Sequence, residues 1–516
     1  SINLRLIIVL DHSEALNELV IKLITNLMDN LPPRIMFILI YELTNETREL
    51  YERLGDKLIN YEMGIIELSP FTDDDILELF NKENITINSI IATSIKEKLK
   101  GSPLHITRLI KLIKDDMIQL SENNIPTIDE LYKLYFKNLN KADIELLSLI
   151  ASLKDPFTKT EIDDLIDREQ LKHFINSNII VHENGLYGFS HIDDKTFFSS
   201  LLPNENQRKL HEKIINKLKA SVENSPKISF DLISRICWYN LRSFPDENSL
   251  RLCILTARIA HDKALFLTAL KIHNEAISLT QTLELQNSRL ILALLYYWQG
   301  VEYLVIDEKK HALQSFEKAL KNFERLGNIE GVGATLYMEG LLSEKKGNHK
   351  DAIKSFNDAI KMFDSMRHNE LSKHLKTHAL LKLARANLNL GNINEAIEHA
   401  NTALTLSHDI NNKQLIIHSL YELSLIKYTK GDFNEAIKTL NEALNISYTT
   451  ENLHIMPQIF LYLGLAHTGL NEIETATTYF RKSIELARET GDKETEGLAL
   501  AQLGILNSNT GSYNTA

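Results

Sequence analysis

Cysteine is nearly absent from this chain of 516 residues, which carries only Cys237 and Cys253. Both fall in apolar helical patterns, so neither a disulfide framework nor a cysteine zinc site is available, and a reducing, cytoplasmic compartment is expected. Glycine (19) and proline (10) are scarce as well, which leaves few chain breaks and favours a mostly helical architecture. No long apolar run occurs. The best candidate, residues 290–306, is interrupted by Gln299, Gly300 and Glu302, and no signal-peptide layout opens the sequence, so no membrane segment is expected. Basic residues are outnumbered, 57 Lys and Arg against 69 Asp and Glu. A net charge of -12 argues against nucleic-acid binding as the dominant function, because phosphate neutralisation needs clustered cations. The 44% hydrophobic and 24% charged residues are those of a soluble globular protein, and one core seldom serves more than about 250 to 300 residues, so three units are expected.

What the chain does have is self-similarity. Gly347-Asn-His-Lys-Asp-Ala, Gly391-Asn-Ile-Asn-Glu-Ala, Gly431-Asp-Phe-Asn-Glu-Ala and Gly511-Ser-Tyr-Asn-Thr-Ala align, and the closing alanine recurs at Ala269, Ala312, Ala352, Ala396, Ala436, Ala476 and Ala516. The interval is 40 residues, apart from 43 at the first step and 44 at the third. A small residue precedes most of these alanines by three helical turns: Gly300, Gly340, Ala384, Ser424, Gly464 and Gly504. One turn after the alanine comes a large apolar knob, Phe316, Phe356, Leu440 or Phe480, with Ala400 the exception. Small residues let two helices approach, and the knob fills the gap. The pattern resembles the tetratricopeptide repeat (TPR), with a period longer than its usual value of about 34 residues. That resemblance implies a superhelix of helical hairpins whose first helices line a concave groove for a protein or peptide. Tyr297, Tyr337 and Tyr421 share one repeat position, and His378, His418 and Gln458 another. Both columns are expected to face the groove and contact the partner, although tyrosines at repeat positions are equally ordinary packing residues.

Residues 4–10 form a largely apolar run that leads directly into Asp11, as in a buried strand ending in a carboxylate at its C-terminal edge. An amphipathic helix over residues 14–28 and a second apolar run over residues 34–41 follow, and strand, helix, strand implies a parallel pair. Next come Leu68-Ser-Pro-Phe-Thr-Asp-Asp-Asp, in which Thr72 is placed to cap a helix with an acidic first turn, and Gly101-Ser-Pro-Leu, which opens another helix. This succession resembles the STAND signal-transduction ATPases, relatives of AAA+ and NB-ARC proteins: Walker B strand, sensor strand, lid segment and lid helix. The resemblance implies that Asp11 holds Mg2+, that Glu14 orients the attacking water, and that Gly101 and Pro103 lie near the adenine of ATP. The sequence departs from it in three ways. No Gly-Lys dipeptide and hence no phosphate-cradling loop occurs, His12 stands where a second acid is usual, and Glu42 stands in place of a basic residue. The chain is therefore expected to be a piece cut at both ends, with the phosphate loop upstream and no ATP hydrolysis of its own.

The middle segment reads as three helices and a hairpin around Asn184-Gly185, a strong type I′ signal. It resembles a winged helix, and the following Phe189-Ser-His191 and Arg208-Lys-Leu-His211 resemble the stretch that succeeds this domain in STAND proteins. DNA binding is not expected. Residues 141–200 carry six Lys and Arg against eleven Asp and Glu, and Glu161, Asp163, Asp164 and Asp167 crowd the candidate reading helix. His191 and His211 lack any metal-site spacing and are expected to be structural. The fold expected is thus mainly α: part of an ATPase domain with helical lid over 1–120, a winged-helix-like domain over 128–222, and a TPR α-solenoid over 228–516. The function expected is a STAND-type regulator that binds a partner on its repeats, switches with ATP and Mg2+ and oligomerises on ligand binding. The alternative is a TPR scaffold with a degenerate nucleotide fold.

Overall fold

The computed structural model describes residues 6–10, 35–39 and 69–509, the last span without residues 123, 224–228, 283–287, 367–369 and 451–452. Asp11, His12, Glu14, Glu42, the helix expected over 14–28 and the last repeat turn at Gly511 lie outside the described residues. Two compact units divide the chain, Ser1–Thr256 and Ala257–Ala516.

In the first unit, β1 (Leu6–Leu10) and β2 (Ile35–Leu39) pair in parallel, Leu6 opposite Ile35 and Leu10 opposite Leu39. From residue 69 onwards, α1 (Asp73–Lys82), α2 (Ser89–Leu99), α3 (Pro103–Lys114) and α4 (Ile128–Tyr135) enclose Ile76, Phe80, Ile95, Leu99, Ile106, Leu109 and Leu131. Thr72 caps α1 as expected: its hydroxyl accepts from Asp75 N, and the Asp75 carboxylate accepts from Thr72 N at 2.8 Å. Three aspartates in that first turn complement the helix dipole.

The chain continues as α5 (Lys141–Ala151), β3 (Phe157–Thr158), α6 (Lys159–Ile162), α7 (Arg168–Asn176), β4 (Ile180–Glu183) and β5 (Leu186–Phe189), followed by α8 (Ile192–Ser200), α9 (Asn204–Glu223) and α10 (Phe230–Ser243). The strands form an antiparallel sheet in the order β3-β5-β4. Asn184 and Gly185 turn the hairpin with φ of 51° and 80°, the left-handed pair that a two-residue loop requires. Glu161, placed among exposed acids by sequence alone, is instead buried. Its carboxylate caps Thr158 N at 2.7 Å, pairs with Arg235 at 3.0 Å and accepts from the Tyr239 hydroxyl at 2.6 Å. These bonds fasten α10 to α6, so its acidity serves packing rather than a surface.

α11 (Glu247–Asp262) crosses the boundary between the units. The second unit stacks helical hairpins: α12 (Phe266–Thr282), α13 (Ser288–Val305) with α14 (Lys309–Arg325), α15 (Ile329–Lys345) with α16 (His349–Ser365), and α17 (Glu370–Asn389) with α18 (Ile393–Asp409). They continue as α19 (Lys413–Lys430) with α20 (Phe433–Thr449), α21 (Met456–Gly469) with α22 (Ile473–Thr490), and α23 (Lys493–Asn509). The tight turn inside every hairpin uses one left-handed residue: Ala264, Asp307, Gly347, Gly391, Gly431 and Asn471, with φ of 58°, 66°, 76°, 81°, 89° and 61°. Glycine recurs there because it has no Cβ to clash, and Asn and Asp are the side chains that tolerate it best.

Within each hairpin the small residue and the knob fit by size. A Cβ on Gly300, Gly340 or Gly464 falls 2.5, 2.4 or 2.6 Å from the ring of Phe316, Phe356 or Phe480. The ring occupies the notch that the missing side chain leaves. Where the small residue is Ala384 the knob shrinks to Ala400, and Leu423 and Ile426 of the next first helix join them in one buried cluster. We expect Gly340→Ala to lower stability by about 1–3 kcal/mol through overpacking and Phe356→Ala by about 3–5 kcal/mol through a cavity. The double variant, which copies the native Ala384 and Ala400 pair, should cost less than the sum in urea unfolding followed by circular dichroism. Strict additivity would mean that notch and knob are energetically independent.

Candidate functional site

Each first helix packs on its own second helix and also on the next first helix: α13 with α15, α15 with α17, α17 with α19, α19 with α21 and α21 with α23. One layer of the repeat unit therefore consists of first helices side by side. On α17, His374, His378, Lys382 and Arg385 follow at spacings of four, four and three, which places them on one helix face. Arg385 reaches the neighbouring helix and pairs with Glu422 through two bonds, 2.9 Å from Nε and 2.8 Å from Nη2. Burial opposes the guanidinium charge, but Glu422 outweighs it and raises the pKa above the usual arginine value. Tyr462 stands edge-on to both Tyr421 and Tyr428, at ring separations of 5.8 and 5.9 Å.

The predicted tyrosines divide. Tyr297 and Tyr337 are half-buried and lean on the knobs Phe316 and Phe356, 6.4 and 5.8 Å between rings. Burial pushes both phenols up to about 12, with Glu344 adding at Tyr337. Tyr421 joins the Arg385, Glu422 and Tyr462 group, and burial followed by Tyr462 raises its pKa. His378 touches His374 at 4.9 Å between rings, and His418 is exposed on the adjacent helix. Burial, then His374, His418 and Lys382, bring His378 down to about 4; burial and Lys382 also lower His418, against the pull of Glu422. Sequence reading missed Lys382, Arg385, Glu422 and Tyr462. Stepping one and two turns on from the histidine column would have found them.

In the first unit the two loops singled out by motif meet. Phe71 N donates to Gly101 O at 2.8 Å, and Gly101 N donates to Lys96 O at 3.0 Å. Gly101 has φ +63°, and a Cβ there would lie 2.9 Å from Phe71 O and from Pro70 Cβ. Pro103 begins α3, where its missing N–H costs nothing. Gly101 and Pro103 thus have no backbone donor to spare. Among the described residues no group of three His, Cys, Asp or Glu is arranged to hold a metal ion. A buried fork joins α3 to α8, Arg108 Nη1 and Nη2 lying 2.5 and 2.8 Å from the Asp194 carboxylate. Tyr132 and Tyr135 rings sit 5.0 and 4.7 Å from its guanidinium. His211 is structural: Nε2 donates to Ser152 O at 2.9 Å, leaving Nδ1 to accept from the Ser243 hydroxyl at 2.7 Å. His191 is exposed at the start of α8.

His273 on α12 is fully buried, and neither ring nitrogen has a partner among the described residues. Burial, with His261 adding, pushes it down to about 3. A histidine depressed in the folded state stabilises the fold above its unfolded pKa; below about 6.5 only the unfolded chain takes up the proton, so stability falls towards acid. We expect the repeat unit to lose ~2 kcal/mol from His273 alone at about pH 5. Thermal melts at about pH 7 and about pH 5 should show it, and His273→Leu should shrink the difference; an equal difference in the variant would exonerate His273.

Two tetratricopeptide-repeat family models match residues 334–364 and 376–448, and a model of anaphase-promoting complex subunit 5 matches residues 423–510. The chain therefore carries tetratricopeptide repeats. No curated protein matches it. Among solved structures it is similar to a Signal Transduction ATPase with Numerous Domains (STAND) protein with a tetratricopeptide-repeat sensor from Pyrococcus horikoshii, at 16% identity over 98% of this chain and 78% of that one, TM-score 0.41. It is also similar to aspartyl phosphate phosphatase F from Bacillus subtilis, at 15% identity over 60% and 78% of the two chains, TM-score 0.40. The apo form of RapI is similar at 17% identity over 43% and 82%, TM-score 0.39.

Proposed function

We propose that the repeat unit holds a protein or peptide segment against its layer of first helices, and that this capture sets a nucleotide switch of the STAND type in the full-length protein. The observation that carries the first part is the Arg385, Tyr421, Glu422 and Tyr462 group, in which polar and aromatic side chains from three successive first helices converge. Such groups supply amphipathic contact area at low entropic cost. Replacing Tyr421 by Ala should weaken capture of a cognate peptide about tenfold, as for an interfacial aromatic anchor, and leave helicity intact. Unchanged affinity in titration calorimetry would make Tyr421 a packing residue.

Support for the switch is the parallel pair β1 and β2, whose first strand leads in sequence to Asp11, and the helix, strand, helix, helix, hairpin order of residues 141–189, which resembles that of a winged helix. In this reading Asp11 holds Mg2+ through water, Glu14 orients the attacking water, Gly101 and Pro103 border the adenine, and ATP supplies a charge that favours one conformation over another. The fork between Arg108 and Asp194 carries the change from α3 to α8. A scaffold with a degenerate nucleotide fold is the competing reading, favoured by the lack of a Gly-Lys dipeptide. Mg-ATP titration of the full-length protein beside its Asp11→Ala variant separates the two: Mg2+-dependent binding lost in the variant establishes the switch, and no binding by either leaves the scaffold.

A further inference from the structure

The two cysteines of the chain, 16 residues apart in sequence, face each other. Cys237 on α10 and Cys253 on α11 bring their sulfurs to 3.3 Å, and both are buried, at 3% and 0% exposure. Cys253 belongs to the stripe Leu250, Cys253, Ala257 and Ala260, which recurs at helical spacing and is fully buried. Packing explains the burial but not the sulfur, since alanine fills the next two positions of the same stripe. α10 is itself anchored within the first unit: Arg235 and Tyr239 bond Glu161, and the Ser243 hydroxyl bonds His211. α11 carries the chain onward, and the first unit ends at Thr256, less than one turn after Cys253. The thiol pair therefore lies where a fastened helix meets the helix that leads out of the unit.

A disulfide needs side chains directed at one another and sulfurs at about 2.05 Å. Two thiols in contact meet the first condition and fall short of the second by about 1.3 Å. We propose that Cys237 and Cys253 form a reversible redox site, joined as a disulfide by a peroxide oxidant and returned to two thiols by a dithiol reductant, and that the bond fastens α11 to α10. Cys237, the more exposed of the two, loses its proton and its sulfur attacks one oxygen of hydrogen peroxide; the O–O bond breaks, water leaves and a sulfenic acid remains. The Cys253 sulfur then attacks the sulfenic sulfur, the S–O bond breaks, the Cys253 proton goes to the departing hydroxide and a second water leaves. Two electrons pass from the two sulfurs to the peroxide, which ends as two waters. With the resolving thiol already in contact, the sulfenic acid closes before a second peroxide carries it to sulfinic acid. Both sulfurs are shielded, so the first step waits on local opening of α11, and the pair responds to sustained oxidant. A metal fits less well: two thiolates do not complete a tetrahedral zinc site, and among the described residues no group of three His, Cys, Asp or Glu is arranged to do so.

The test treats the full chain with hydrogen peroxide, denatures it in iodoacetamide and analyses it by intact mass and peptide mapping. The expected result is a monomer that has lost two hydrogens, takes up no alkyl group, yields one cross-linked peptide pair containing Cys237 and Cys253, and takes up two alkyl groups once dithiothreitol has acted. Backbone amide exchange over α11 should slow by about tenfold or more in the oxidised chain, because the cross-link closes the opening motions, and dithiothreitol should restore it. Cys237→Ser and Cys253→Ser should each keep the unoxidised exchange rate in peroxide, and Cys253→Ser should accumulate a sulfenic acid at Cys237 that dimedone traps. Circular dichroism checks that the variants fold, and the measurements on the unaltered chain decide the matter if either does not. Two alkylatable thiols after peroxide, sulfinic acid without a cross-link, or a cross-link only between two copies of the chain overturns the site. A disulfide that leaves exchange over α11 unchanged overturns the fastening.

Discussion

The repeat unit depends on an aromatic ring seated where a side chain is missing. Phe316, Phe356 and Phe480 each lie over a glycine whose hypothetical Cβ would fall within 2.6 Å of the ring. Burying one such ring contributes about 1.5–3 kcal/mol, and its position also sets how closely the two helices of a hairpin approach. With that distance set, each first helix can pack on the next first helix. The layer of first helices, and every side chain displayed on it, follows from the notch. The third hairpin reaches the same end differently, with Ala384 and Ala400 small and Leu423 and Ile426 filling from the adjacent repeat.

Much of this was legible because it is periodic. The alanine column, the small residues and the knobs declare themselves by recurrence, and the left-handed turn explains why glycine recurs five residues before the alanine. Asp307 and Asn471 show the same requirement met without glycine. Local rules worked equally well at Thr72, at Asn184-Gly185 and for the parallel strands, since each involves residues close in sequence or one crossover. Pairings that span long separations were not legible. Arg108 finds Asp194 across 86 residues and Glu161 finds Arg235 across 74, and no spacing rule links them. Glu161 shows the cost of reading charge locally: three acids follow it closely, yet it alone turns inward. The candidate face was half legible. The histidine column was visible, whereas Lys382, Arg385 and Glu422 acquire meaning only when α17 and α19 lie side by side.

Charged groups withdrawn from water are committed in both units. In the first, ionised groups withdrawn from water are fully committed: Arg108 to Asp194, and Glu161 to Arg235, Tyr239 and Thr158. Buried pairs of this kind add little net stability over apolar replacements, but breaking one partner is costly, so they fix which surfaces meet. In the second, Arg385 pairs with Glu422, and the buried Glu302 bonds His261 at 3.0 Å.

The notch of Gly340 and Phe356 is contained in a single hairpin, as are those of Gly300 with Phe316 and Gly464 with Phe480. A hairpin therefore carries its own internal fit and asks its neighbours only for a compatible flank. Genetic duplication or loss of one whole period would leave every notch intact, so such an array can lengthen or shorten its reach over evolutionary time without redesigning its core. The positions on the outward-looking face of each first helix are then free to diversify independently, one hairpin at a time.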